Sequence, residues 1–399
     1  MSAPVAATRF PLFPLALLSG AIFVSVTSEF LPTGLLPDMA EGLGVSEARV
    51  GLLVTVFAGT VVLTSAPLAI LTRRFSRKWL MIVLLGTFAV SNVLAGVAPT
   101  YEFLVAARVL GGLAHGLFWA VTGPYASHLV SKKQLAKALS VTNAGGTIAF
   151  IVGVPLGTAI GHALDWRAAF FVMAGVVTLF TVFIAIFLPP VKHLEDLATG
   201  EIRLPARKDK SLRGVFIVCG IVILVMTGHN LLYTYIAPWL IDVASFSPDA
   251  VPASLFAYGA AGAAGLVLAG VLGDRFPRAS VTGFILGIMG SVLLLMASAS
   301  IPWLVVLSLI LWSASFGGLP SMMHARNLHA ASHNVRDLAS ALVTTSFNLA
   351  IGGGALIGSL LLDAYGVAVL PWGLIVGVAI GLVFVLVTDA LAARKGRVL

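Results

Sequence analysis

Apolar runs of about 20 residues recur along the whole chain between short polar breaks, the length an α-helix needs to cross roughly 30 Å of hydrocarbon. Twelve are present, at 13–36, 50–71, 79–98, 103–125, 138–162, 167–189, 214–240, 252–272, 280–299, 302–323, 338–362 and 367–391. They lack period-two alternation and are twice as long as a barrel strand. The pattern therefore predicts an all-α polytopic membrane protein with 12 transmembrane helices. The first run has no basic segment before it and passes Pro32 and Pro37 without a small-residue cleavage site, so it reads as a retained span. An even number of spans puts both termini on one side.

Composition changes the picture in one respect. At 59% hydrophobic and 10% charged residues, an ordinary soluble enzyme is excluded, because such a chain carries about a quarter charged residues. The single cysteine, Cys219, excludes a disulfide framework or a thiolate metal cluster. A net charge of +8 would suggest nucleic acid in a soluble protein, but its placement argues otherwise. Of the 24 lysines and arginines, all but Arg49, Arg167 and the intraspan Arg108 fall in the terminal segments and even-numbered turns. By the positive-inside rule that face is cytoplasmic, and the surplus is a topology signal. The expected partners are the lipid bilayer, protons and a small molecule, with no nucleic acid, no cofactor and no metal; a monomer is expected.

The long connection from Pro189 to Arg213 divides the chain into 1–189, a six-helix bundle, 190–213, a cytoplasmic linker, and 214–399, a second six-helix bundle. The linker reads equally as an amphipathic surface helix or a solvated tether. The halves repeat each other. At a shift of 201, Ser28 to Thr33 falls on His229 to Thr234, Pro37 on Pro238, and Ala69 to Arg77 on Gly270 to Arg278. At a shift of 203, Leu135 to Leu139 falls on Leu338 to Leu342. Three matches at nearly one offset mean two six-helix repeats, with the substrate site at their interface around a central cavity.

The loop pattern G-x-L-x-D-R-x-x-R, intact from Gly270 to Arg278, resembles that of the major facilitator superfamily. So do Arg108 with Gly111 and Gly112 in the fourth span and Asp165-Trp166-Arg167 before the sixth. Ser28-Glu29-Phe30 with Gly34 to Asp38 is similar to the first span of its sugar-efflux and chloramphenicol-efflux members, among the twelve-span drug:proton antiporters. The resemblance covers essentially the whole chain and implies proton-coupled export from a bacterial-type inner (plasma) membrane. It also implies a gating role for Asp274 and Arg275, whereas the first-half copy has Arg73 where the family's aspartate is usual. Gly153, Pro155 and Gly157 partly match the fifth-span antiporter motif. They read either as a bend that seals the cavity or as close packing of small residues.

An ionisable group at bilayer depth costs several kcal/mol and persists where a pathway or a partner needs it. Glu29 lies roughly 13 Å in from Asp38, and Arg108 about 9 Å in from Glu102, at about 1.5 Å per residue. In the family fold the two are neighbours, so Glu29 reads as the proton carrier or as half of a static ion pair with Arg108, with Asp38 in reserve. His115, Trp119 and Thr122 continue the face of Arg108. His115 is a proton relay, a donor to substrate or a donor to a backbone carbonyl. In the second half Asn230 stands at the position of Glu29 and Ile310 at that of Arg108. His229, Asn230, Tyr233, Trp312, Phe316 and Asn348 there suit a neutral or weakly basic molecule with a flat or sugar-like body, as Trp119 does in the first half.

Export of a drug-like or amphipathic compound, a multidrug-resistance function, is the leading expectation, with efflux of a sugar, nucleoside or related metabolite as the alternative. An enzyme is not expected, since the spans hold no H-E-x-x-H pair, no nucleophile-and-base set and no paired aspartates at helical spacing. If the second-half loop latches the cytoplasmic face, Asp274→Asn should shift the resting population toward the inward-open state by about 1–2 kcal/mol. Arg73→Ala should move it much less. Spin-label distances across that face, in a background lacking Cys219, report both.

Overall fold

The computed structural model describes residues 10–72, 74–131, 134–191, 209–332 and 335–394. Among them are 12 helices long and apolar enough to cross a membrane: α1 Leu12–Gly34, α2 Glu47–Thr72, α3 Arg77–Gly96, α4 Tyr101–Leu129, α5 Lys137–Ala163, α6 Trp166–Phe187, α7 Leu212–Tyr233, α8 Pro248–Gly273, α9 Arg278–Ala297, α10 Pro302–Ala330, α11 Leu338–Tyr365 and α12 Val367–Leu391. No strand occurs among the described residues.

Irregularities fall where proline or glycine weakens the helical ladder. The first run was expected to continue to 36; instead α1 ends at Gly34, Leu35 pivots, and a short helix, Leu36–Leu43, follows. The seventh was expected to reach 240, yet α7 ends at Tyr233, because Pro238 has no N–H for the Thr234 carbonyl; a turn, Ile236–Pro238, and a π turn, Trp239–Val243, complete it. A second π turn, Ala149–Gly153, lies inside α5 just before Pro155. The tenth span outruns its predicted end at 323 and breaks at Gly317-Gly318 into Pro302–Phe316 and Leu319–Ala330.

The repeat is visible in the packing. In the first half α1 lies against α5 and α6, α4 against α2 and α3, and α3 against α6. In the second, α7 lies against α11 and α12, α10 against α8 and α9, and α9 against α12, which is the same set of pairs displaced by six helices. With no hydrophobic driving force between helices in lipid, close approach has to come from small residues. A Cβ on Gly145 would strike the backbone of Ser19 and Phe23, while Gly153, Gly157 and Gly161 face Thr27, Leu31 and Leu35. The fifth-span glycines thus pack α5 tightly onto α1, and the π turn between them supplies the bend.

Two seams join the halves, α2 with α11, and α8 with the π turn and following residues of α5. Thr55 Oγ1 donates to the Gly352 carbonyl at 2.9 Å and Ser359 Oγ to that of Ala48 at 3.0 Å. The Tyr235 hydroxyl donates to the Ala355 carbonyl at 2.8 Å, its ring against Gly51, and Gly259 of α8 sits on the Phe150 carbonyl. All these contacts lie between the midplane and the face opposite the basic loops. Toward the basic face Ser127, Asn143, Ser340, Thr344 and Thr345 are exposed although they lie within apolar spans. The contacts between the halves are thus concentrated toward the face opposite the basic loops.

Most of the expected linker, 192–208, lies outside the described residues, as does Arg73. Its last residues are anchored: Ser332 donates its hydroxyl to Asp209 and its amide to Ser211 Oγ at 3.0 Å. The Ser332 hydroxyl, helped by the hydroxyl and amide of Ser211, holds the Asp209 carboxyl below the usual carboxylate range. Gly259→Val would press a branched side chain into the main chain of the π turn. It should destabilise the packing at the face opposite the basic loops by about 1–3 kcal/mol. Lower thermal stability together with longer spin-label distances across that face would show it.

Candidate functional site

Pro32 lies inside α1 and has no N–H for the carbonyl of Ser28, one turn earlier. That bare oxygen is taken by Arg108 from α4, whose Nη1 donates to Ser28 O at 2.8 Å and Nη2 to Glu29 O at 2.9 Å. The guanidinium also lies over the Phe57 ring, 4.3 Å from its centroid, and is almost fully buried. Arg108 thus anchors the main chain of α1 beside its proline, and its hydrogen bonds to α1 go to these carbonyls while the Glu29 carboxylate lies close enough to feel its charge.

The Glu29 carboxylate faces His115, with Oε2 3.5 Å from Nε2, both side chains buried. Nε2 also accepts a hydrogen bond from the Trp119 indole N–H at 2.8 Å, and Nδ1 is 3.0 Å from Ser25 Oγ. An indole nitrogen only donates, so Nε2 is the lone-pair nitrogen and the imidazole proton sits on Nδ1, toward Ser25. Phe57 and Phe88 stand edge-on to the imidazole at 5.2 and 6.1 Å. Around them Ser28 and Asn92 exchange side-chain hydrogen bonds at 3.0–3.1 Å. The result is a carboxylate, an imidazole and an indole in series.

Asp38 is not part of this cluster. It lies on the short helix at the face opposite the basic loops, 3.0 Å from His162 Nε2 at the end of α5.

The second half presents an aromatic wall. His229 stacks on Phe316 with centroids 3.4 Å apart, lies over Tyr233 at 5.5 Å and meets the edge of Trp312 at 5.3 Å. Tyr258 of α8 joins Tyr233 at 5.1 Å and Trp312 at 5.4 Å. Tyr233 also reaches the first half, with Phe30 at 6.3 Å and Phe150 of the π turn at 6.2 Å, and so closes the floor of the site. His229 Nδ1 and Trp312 Nε1 are buried without a hydrogen-bond partner among the described residues. Asn230 and Asn348 tie their amide nitrogens to carbonyls of their own helices, Met226 and Thr344. Asn230 sits at the α7–α11 contact, where Gly354 meets it.

Of the expected gating residues, Arg275 is exposed and lies over the Phe276 ring at 5.3 Å; the Asp274 side chain is outside the description. Sequence reasoning missed Ser25, Phe57, Asn92, Phe150, Tyr258 and His162. Pro32 was the available signal for Arg108, since a mid-helix proline leaves a carbonyl to be satisfied.

The sequence pattern of the Major Facilitator Superfamily matches residues 18–265 and 218–397. A protein of Helicobacter pylori (strain G27) described as a probable sugar efflux transporter is 33% identical over 376 residues, 94% of both chains. Another of that description, from Pasteurella multocida (strain Pm70), is 31% identical over 87% of this chain and 84% of its own. Among solved structures, a bacterial homologue of the human lysosomal transporter Spinster, inward-facing and occupied, superposes with a TM-score of 0.74 over all of both chains at 15% identity. A nucleoside transporter gives 0.74 over 95% of this chain and 99% of its own, at 15% identity, which speaks for the fold alone.

Replacing Arg108 by methionine keeps the stem but leaves the Ser28 carbonyl bare. Arg108→Met should cost about 2–4 kcal/mol. Adding Pro32→Ala, which restores an N–H one turn on, should return about 1 kcal/mol of that loss. A double-mutant cycle on thermal stability reads the coupling, and strict additivity would mean that Arg108 does not serve this carbonyl.

Proposed function

The chain belongs to the major facilitator superfamily, and from that premise we propose that it exports a neutral polyhydroxylated metabolite of the sugar class in exchange for protons. It is a multi-pass membrane protein; in this reading the basic face is cytoplasmic and the structure is the inward-open, substrate-loading state. The first expectation, a drug-like substrate, gives way to the second. The relatives carry the description of sugar efflux, and the aromatic wall joins stacking faces to two buried, unpartnered ring nitrogens at His229 and Trp312. That combination suits a ring with an apolar face and hydroxyls at its edge.

The observation that carries the reading is the buried Glu29 carboxylate, 3.5 Å from the lone-pair nitrogen of His115, while the hydrogen bonds of Arg108 go to main-chain oxygens. Two acceptors at that separation repel when both are unprotonated, and one proton between them turns the contact into a hydrogen bond. Loading a proton at Glu29 and releasing it to the other side is the elementary step of exchange. Arg108 stays fully charged throughout and holds α1 in place while the carboxylate changes state.

The test is proteoliposome transport driven by an imposed pH gradient, over pentoses, hexoses, nucleosides and a lipophilic cation. Sugar movement in the unmodified protein, and its loss by at least about tenfold in Glu29→Gln with substrate binding retained, is the expected result. Full gradient-driven transport by Glu29→Gln would refute the carrier. Movement of the lipophilic cation alone would refute the substrate class.

A further inference from the structure

We propose that Trp119 is the positioning residue through which a proton on Glu29 and a bound substrate exclude each other. The inference rests on Glu29 as the proton carrier. It starts from a count of lone pairs. His115 Nε2 has one, and in the structure the Trp119 indole N–H occupies it at 2.8 Å while Glu29 Oε2 waits 3.5 Å away. A carboxylate has nothing to donate to that nitrogen, so the indole keeps it. Once Oε2 takes up a proton from solvent, its O–H becomes a second donor aimed at the same lone pair, and only one donor can hold it.

The proton changes nothing else in the chain of bonds: Nδ1 keeps its hydrogen toward Ser25 and no heavy-atom bond forms or breaks. What changes is the indole. Trp119 is half-buried, one turn beyond His115 on the cavity face of α4, and it touches Phe118 and His115 only edge-on, at 6.0 and 6.1 Å. Among the described residues no ring stacks on it, so its N–H bond to His115 is the directional contact that sets the plane of the ring. A fixed plane is a platform for the apolar face of a sugar; a released one is not. Substrate that rests on the indole keeps the lone pair occupied and so disfavours the proton, which is the reciprocal linkage exchange requires. The charged and titratable groups facing the imidazole are Glu29 on α1 and Arg108 on its own helix, with Phe57 of α2 and Phe88 of α3 completing its surroundings.

The experiment needs no substrate. Purified full-length protein labelled with 15N at the tryptophan indoles gives side-chain resonances among which that of Trp119 is identified by its disappearance in Trp119→Phe. On titration that resonance should shift through a single transition that is absent in Glu29→Gln and in His115→Asn. A Trp119 resonance that does not move with pH, or one that still moves in Glu29→Gln, would overturn the proposal. Trp119→Phe keeps the ring and deletes the competing donor, so Glu29 should hold its proton more tightly. The midpoint of its carboxylic C=O band in infrared difference spectra should rise by about half to one pH unit, the worth of a net hydrogen bond. An unchanged or lowered midpoint would also overturn it. Because neither arm measures transport, a titrating indole in a protein that moves no sugar would refute the export reading and leave standing only the link between the Glu29 proton and the Trp119 indole.

Discussion

A guanidinium bonded to main-chain oxygens is the contact on which the rest of the first half depends. Burying Arg108 costs several kcal/mol, and the cost is offset by the carbonyls of Ser28 and Glu29 and by the Phe57 ring face. Had the guanidinium been taken by the Glu29 carboxylate, any proton arriving there would have broken the pair and left a buried charge alone. Giving it to oxygens that never titrate separates the fastening of α1 from the chemistry of its side chain. Pro32 makes this possible, because it leaves one of those oxygens without a helical donor. Each element of the cluster then follows: the carboxylate turns to His115, and His115 turns to Trp119.

The two halves share a packing scheme and divide the chemistry. The helix pairs are the same when displaced by six, yet the repeat mate of Glu29 is Asn230, tied to its own helix, and that of Arg108 is the apolar Ile310. At the level of the Glu29 cluster the second half has rings, His229, Tyr233, Tyr258, Trp312 and Phe316, and its buried ion pair, Arg326 with Asp389, joins α10 to α12 elsewhere. In the proposed exchange, a symmetric scaffold with an ionisable wall and an aromatic wall would let one side respond to protons while the other offers a neutral ring a surface. The floor between them, Phe30, Phe150 and Tyr233, draws on both halves, so it exists only while the halves meet toward the face opposite the basic loops.

How much of this was legible follows from the kind of signal involved. Twelve spans could be read because hydrocarbon thickness imposes a length on each run, and the repeat because offsets are a matter of counting. The π turn at Ala149–Gly153 left no such mark: Gly153 and Pro155 announced an irregularity, but nothing announced that it would carry Phe150 to Gly259. Depth along a helix put Glu29 and Arg108 at one level without saying which atoms would meet, since a rise of about 1.5 Å per residue carries no azimuth across helices. The partner of Arg108 was hidden in the backbone, where sequence shows only the proline that frees a carbonyl. Asp38 lies at the outer end of the first span, as its position in the sequence implied, but its neighbour His162 is 124 positions away, at a span end where periodicity fades, and so could not be read.

The state of the seam and the state of the cluster are consistent with each other. With α2 packed against α11 and α5 against α8 toward the opposite face, the proposed route to the site runs from the basic face, where Ser127, Asn143 and Thr344 are exposed. In the same structure the indole N–H of Trp119 donates to His115 Nε2. Under the proposed exchange, loading from the basic face would need both at once: the proton discharged to that side and the platform fixed to receive substrate. A proton-loaded cluster beneath the same seam would leave the platform released while substrate could enter, and the cycle would then admit leak. The link between the floor and the cluster is α1, whose Phe30 meets Phe150 of α5 and Tyr233 of α7 while Arg108 grips the carbonyl of the residue before it.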